Sequence, residues 1–125
     1  MSDSHIISLE EVVYFVNDIA SARNWFLEAF GGRKAFESEF YSSIKIGEVS
    51  VGFHPSDEKA GPGVKGQVTY WLVDDMNKAI EHLLKLGCTV YRGPITSVDS
   101  ETVAQLIDPF GNALGIIEKE CGTLF

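Results

Sequence analysis

The chain has 125 residues, with 18 Asp and Glu against 10 Lys and Arg, for a formal net charge of −8. With 45% hydrophobic and 22% charged residues it is globular, one domain or two very small modules sharing a core, and not a disordered chain. No Lys/Arg cluster is present to follow a phosphate backbone, so nucleic acid is excluded as a partner, and no apolar run approaches the about 18 residues of a membrane helix.

The N-terminal MSDSHIISLEE lacks a basic segment and a long apolar stretch, so no signal peptide is expected and the cytoplasm is the default compartment. Cys88 and Cys121 are too far apart in sequence to form a CxxC motif. Cys88 is expected to act as a small buried hydrophobe and Cys121 as a tail thiol.

Residues 12–18, VVYFVND, predict a strand running into a helix N-cap at Asp18. Ile19, Ala22, Trp25, Phe26, Ala29 and Phe30 then form one apolar stripe at helical spacing, ended by Gly31-Gly32. Three short strands follow, at Lys34–Ser38, Phe40–Ile46 and Glu48–His54, with Gly47 as a turn. Pro55 to Lys65, with Gly61-Pro62-Gly63, predicts a solvated link.

The pattern then repeats. Residues 69–75, TYWLVDD, end like the first strand in Val-x-Asp, and Asp75 lies 57 positions after Asp18. Met76, Ala79, Ile80, Leu83 and Leu86 make a second helical stripe, which stops at Gly87. Strands are expected at Thr89–Arg92, Thr102–Ile107 and Asn112–Glu118, and Asp108-Pro109-Phe110-Gly111 fits a type I turn. Val51-Gly52-Phe53 matches Leu114-Gly115-Ile116 at an offset of 63. The fold class is therefore α+β: two βαβββ modules in tandem, about 6–54 and 66–118, joined by 55–65 and followed by a tail at 119–125. Neither half buries much apolar surface alone, so the halves must pack on each other or on a second chain.

The residues Val16-Asn17-Asp18, Val73-Asp74-Asp75, Gly93-Pro94 and Asp108-Pro109-Phe110-Gly111-Asn112 resemble signatures of the vicinal oxygen chelate superfamily. That group includes glyoxalase I, bleomycin-resistance proteins, extradiol dioxygenases and fosfomycin-resistance enzymes. The resemblance covers about residues 9–118 and implies curved mixed sheets forming a ligand cavity. In metal-dependent relatives, His or Glu from the first and last strands of each module hold the metal. The matching positions here are Glu11, Gly52, Val68 and Gly115. Three of the four carry no donor side chain, whereas a catalytic metal needs about three protein ligands. The resemblance therefore implies no metal and no other cofactor, as in bleomycin-resistance-like members, which bind a compound as homodimers.

Glu11 shares a strand face with Val13 and Phe15 by alternation. The alignment makes that face a cavity wall, where a lone carboxylate demands a partner or a cationic ligand. Tyr41 matches an aromatic that stacks on ligand in such relatives, and its other reading is sheet packing. Val68 and Tyr70 share a face in the second module, and Trp71 points the other way, toward the helices. Gln105 is polar within an apolar strand, and so faces solvent or the cavity. His54, at a strand end, is read as surface or as cavity rim, and Arg92 as surface or as pocket edge. Phe36 and Phe40 serve sheet packing or a pocket wall, and Trp25 is expected in the core. His5 and His82 have no metal-ligand spacing.

The expected ligand-binding set is Glu11, Val13, Phe15, Tyr41, His54, Val68, Tyr70 and Gln105. Glu11 would be the catalytic residue if the protein is an enzyme, and no metal ligand is assigned. The leading expectation is a cytoplasmic homodimer that binds an aromatic or cationic small molecule, with antibiotic sequestration as one role. The alternative is a metal- or carboxylate-dependent lyase, isomerase or dioxygenase. A third reading is an interaction module whose cavity is filled by its own side chains.

Overall fold

A computed structural model of the protein describes residues 5, 7–65, 67–96 and 100–119. The chain forms two compact units, Met1–Gly61 and Pro62–Phe125, and the division falls inside the expected link. Cys121 lies outside the described residues.

In the first unit the elements are β1 (Glu11–Val16), α1 (Ile19–Phe30), β2 (Arg33–Glu37), β3 (Ser42–Ile46) and β4 (Val49–Pro55). They give an open four-stranded sheet of order β1-β4-β3-β2. β1 and β4 run parallel, because α1 carries the chain back between strands, and the remaining pairs are antiparallel. Asp18 starts α1 by accepting the Ser21 amide at 3.0 Å, and this hydrogen bond holds its carboxyl below the usual carboxylate range.

Alternation assigns the two faces of this sheet. Tyr14, Val16, Ile44, Val51 and Phe53 are buried together with Phe26 of α1. The Phe26 ring lies 5.0 Å from Tyr14 and 5.1 Å from Phe53, centroid to centroid. Each such buried aromatic contributes roughly 1.5–3 kcal/mol. Trp25, expected in the core, is only half-buried at its margin, edge-on to Phe26.

Two local features complete this unit, and the second departs from the sequence expectation. Arg23 is buried on α1, where its guanidinium meets Ser42 Oγ at 3.2 Å and Glu37 Oε2 at 2.8 Å. The third strand begins at Ser42 and not at Phe40, because the Ser38 hydroxyl accepts the amides of Phe40 and Tyr41 and so folds a turn there. Phe40 is left exposed on that turn.

The second unit repeats the plan with β5 (Tyr70–Leu72), α2 (Met76–Lys85), β6 (Thr89–Thr96), β7 (Thr102–Ile107) and β8 (Ala113–Glu118). The sheet order is β5-β8-β7-β6, again with the first and last strands parallel. Asp75 caps α2 on the Lys78 amide at 3.0 Å, and Glu118 accepts the Met76 amide at 2.7 Å. Met76, Leu83, Ala104, Leu106, Leu114 and Ile116 are buried.

β5 is shorter than expected, and Val68 lies just ahead of it. β6 is longer, since Gly93-Pro94 lies within the strand and not in a loop. The Gly93–Pro94 peptide is cis, and the β6–β7 register shifts around it. Proline supplies no N–H to the ladder, which is accommodated as a bulge. In the Asp108–Gly111 turn, the Gly111 amide donates to the Asp108 carbonyl at 3.1 Å, while Asp108 Oδ1 accepts the amides of Phe110 and Asn112. Burial pushes the Asp108 carboxyl above the usual range, and it pushes the neighbouring Cys88 thiol up to about 12.

Candidate functional site

The sheet face away from the buried core carries most of the expected site residues in each unit. In the first unit Glu11, Val13 and Phe15 project from β1, in register with Ser50, Gly52 and His54 of β4. Val13 is exposed, Glu11 and Phe15 are half-buried, and the Phe15 and His54 rings lie 5.4 Å apart. His54 itself is exposed at the strand end. Tyr41 reaches diagonally across β4 and donates its hydroxyl to Glu11 Oε2. Glu11 therefore has its partner inside the protein. Tyr41 also meets the exposed Phe36, with ring centroids 6.0 Å apart.

Gly52 makes this crossing possible. A Cβ there would come within 2.8 Å of the Tyr41 hydroxyl and 2.9 Å of its ring, closer than real Cβ contacts. Burial raises the Tyr41 phenol above its ordinary value, and the hydrogen bond to Glu11 and the charge of Glu11 add to this. The phenol is thus held protonated as a donor.

The second unit builds the same motif from different side chains. Tyr70 of β5 and Gln105 of β7 both pair with Gly115 of β8. Gln105 Nε2 donates to the Tyr70 hydroxyl at 2.8 Å, across the glycine. A Cβ on Gly115 would stand 2.7 Å from the Tyr70 ring.

Beside this crossing lies an open groove of about 440 Å³, lined by Val64, Lys65, Gln67, Val68, Tyr91, Arg92 and Gln105. A smaller recess of about 210 Å³ shares Arg92 and Gln105 with it and adds Tyr70, Ile95 and Val103. Val68 thus lines the groove and Tyr70 the recess, and Gln105 and Arg92 line both. Lys65, at the end of the link, and Gln67, just ahead of β5, are not among the expected site residues, because neither lies in a stretch with a periodic signal. A larger depression of about 660 Å³ lies against α2, between Leu72, Lys78, His82 and Lys119, and contains none of the expected site residues.

The four positions matched to metal ligands do not supply a donor set. Gly52 and Gly115 have no side chain and no room for one beneath the tyrosines, and Val68 offers no lone pair. Glu11 is the one donor, and Tyr41 engages it. Among the described residues no three His, Cys, Asp or Glu side chains form a group that could hold a metal ion. No described helix is long and apolar enough to cross a membrane.

Two open four-stranded mixed sheets, each with one helix on one face and a tyrosine laid across a glycine on the other, define a tandem βαβββ protein. Residues 8–116 match the model of the Glyoxalase/Bleomycin resistance protein/Dioxygenase superfamily, and the chain belongs to that superfamily. Its fold is similar to that of a glyoxalase/bleomycin resistance protein/dioxygenase family enzyme from Burkholderia phytofirmans PsJN, with a TM-score of 0.77 and 19% identity over 91% of this chain and 100% of that one. It is similar also to the fosfomycin resistance protein FosX from Listeria monocytogenes, solved with Mn(II) and sulfate, with a TM-score of 0.77 and 10% identity over 93% of each chain. A lactoylglutathione lyase from Agrobacterium tumefaciens aligns with a TM-score of 0.70 and 16% identity over 92% of this chain and 96% of that one. No curated protein matches the sequence. At these identities the likeness concerns the fold.

Proposed function

We propose that this protein binds a small aromatic or amphipathic molecule on its exposed sheet faces without a metal, as a homodimer in the cytoplasm. The supporting observation is the repeated crossing of a tyrosine over a glycine, Tyr41 over Gly52 and Tyr70 over Gly115. At two positions where metal-dependent relatives place a ligand, this chain presents an aromatic surface suited to stacking. Val13 and Phe36 in the first unit, and Ile95 in the second, add exposed apolar area to their own sheets. Sequestration of a toxic compound is one use of such binding. The second reading, catalysis with Glu11 as base, draws on the Tyr41–Glu11 hydrogen bond, which places a proton donor beside a carboxylate.

The test is elemental analysis of the purified protein, followed by calorimetry of stripped protein with Zn, Ni, Fe and Mn. A thermal-shift screen of aromatic compounds completes it. The expected result is no near-stoichiometric metal, and a melting temperature raised by aromatic compounds in wild type but not in Tyr70→Ala. Tight, near-stoichiometric metal binding overturns the metal-free reading. A screen with no stabilising aromatic compound overturns the binding one.

A further inference from the structure

We propose that the second unit's groove selects ligands bearing a carboxylate or similar small oxyanion, held between Arg92 and Lys65. This rests on the small-molecule-binding reading above and adds the sign of the ligand's charge.

In a chain of net charge −8, a groove whose described lining residues include two cations and no acid is a local reversal of charge. Neither Arg92 nor Lys65 takes part in an ion pair among the described residues, whereas Arg23, Lys85 and Lys119 each do. Arg92 rests on an aromatic face, its guanidinium carbon 5.6 Å from the Tyr91 ring centroid. That contact restrains the side chain without neutralising it. A planar guanidinium without a carboxylate partner among the described residues is suited to bidentate capture of an oxyanion, and a lysine adds a second charge. Gln67 adds a neutral amide to the same lining.

Gln105 ties this charged end to the aromatic floor. It lines both the groove and the recess, and its amide nitrogen is bonded to the Tyr70 hydroxyl at 2.8 Å. A ligand with an aromatic body over Tyr70 and an oxyanion at Arg92 fits this continuous surface. Glu11, the expected attractor of a cation, is on the other unit and already accepts from Tyr41.

Calorimetry on the full chain with naphthoate, naphthylmethanol and naphthylmethylammonium tests the inference. These probes share a ring system and differ in charge. Naphthoate is expected to bind about tenfold more tightly than the alcohol, and the ammonium more weakly than either. The Arg92→Gln/Lys65→Gln variant is expected to lose that preference while keeping the affinity for the alcohol. Equal affinity for naphthoate and the alcohol overturns the charge assignment and leaves the binding reading standing. A preference that survives in the variant overturns the placement at Arg92 and Lys65. Absence of binding by all three probes overturns both readings. If the variant does not fold, the salt dependence of wild-type naphthoate affinity decides, since an oxyanion contact weakens with added salt and a purely apolar one does not.

Discussion

The Tyr70 hydroxyl accepts a hydrogen bond from Gln105 at 2.8 Å across the backbone of Gly115, just as Tyr41 donates to Glu11 across Gly52. The tyrosine comes from the first strand in one unit and from the turn before the third strand in the other. The glycine is the shared element, and it sets how closely the ring approaches the sheet. Gly115→Ala is expected to destabilise the protein by about 1–3 kcal/mol, the usual range for an overpacked site. Tyr70→Ala removes the nearest obstacle, the ring, and leaves only the Thr69 carbonyl oxygen at 3.0 Å, so the double variant should lose less than the sum of the single changes. Urea denaturation of the four proteins measures this coupling. Additive losses would mean that the cost of Gly115→Ala comes from the Thr69 carbonyl and not from the ring.

The Tyr41–Glu11 pair makes a prediction in alkali. The phenol ionises above its ordinary value of 10.0 in the folded protein, because burial and the Glu11 carboxylate both oppose the phenolate. A raised folded pKa gives stability that is complete below the unfolded value and lost as pH rises through the folded one. The stability lead of wild type over Tyr41→Phe should therefore hold at neutral pH and shrink above pH 10. Ultraviolet titration of the tyrosines should show one group that ionises late in wild type and earlier in Glu11→Gln. Superimposable titrations of the two proteins would rule the pairing out.

Both stripes, both N-caps and the doubled βαβββ order are legible in the sequence, because period and punctuation are local. Strand ends at Phe40 and Gly93-Pro94 are less so. The first depends on the Ser38 hydroxyl capturing two amides, and the second on a bulge that keeps a proline within a strand. Glycine within the apolar runs at Gly52 and Gly115 was a visible sign of close approach. Which side chain approaches was not visible, since Tyr41 and Glu11 are 30 positions apart. The pairing of Lys65 with Arg92 around one groove was equally hidden, as it joins a link segment to a strand.

Asp108 should reverse the usual acid response of a carboxylate. Burial raises its pKa, while the amides of Asn112, Phe110 and Gly111 oppose the rise without cancelling it. Its Oδ2 is buried without a hydrogen-bond partner. The neutral form is thus favoured in the fold, so its contribution is present below the ordinary 3.8 and lost as pH rises through the folded value. Asp108→Asn keeps an acceptor for the Phe110 and Asn112 amides and does not titrate. The stability of wild type relative to this variant should therefore fall as pH rises from 3 toward neutrality, read from urea midpoints across that range. A difference independent of pH would mean that Asp108 stays charged at no cost.

Arg23 is buried to 7% exposure on α1, yet its partner Glu37 has half its side chain in water. The geometry separates two ways in which this arginine can stabilise the first unit. One is the ion pair at 2.8 Å, which solvent at Glu37 weakens. The other is the packing of the arginine's buried aliphatic stem. If the stem dominates, Glu37→Gln should cost no more than about 1 kcal/mol. Arg23→Ala should cost about 3 kcal/mol, because it opens a cavity as well as removing the charge. Arg23→Met refills that volume without a charge and should recover much of the loss, although Ser42 Oγ then gives up its guanidinium contact. In the Arg23→Met background, Glu37→Gln should have no further effect. Chemical denaturation of these variants decides between the two contributions, since an Arg23→Met protein as unstable as Arg23→Ala would assign the stability to the charge and its hydrogen bonds.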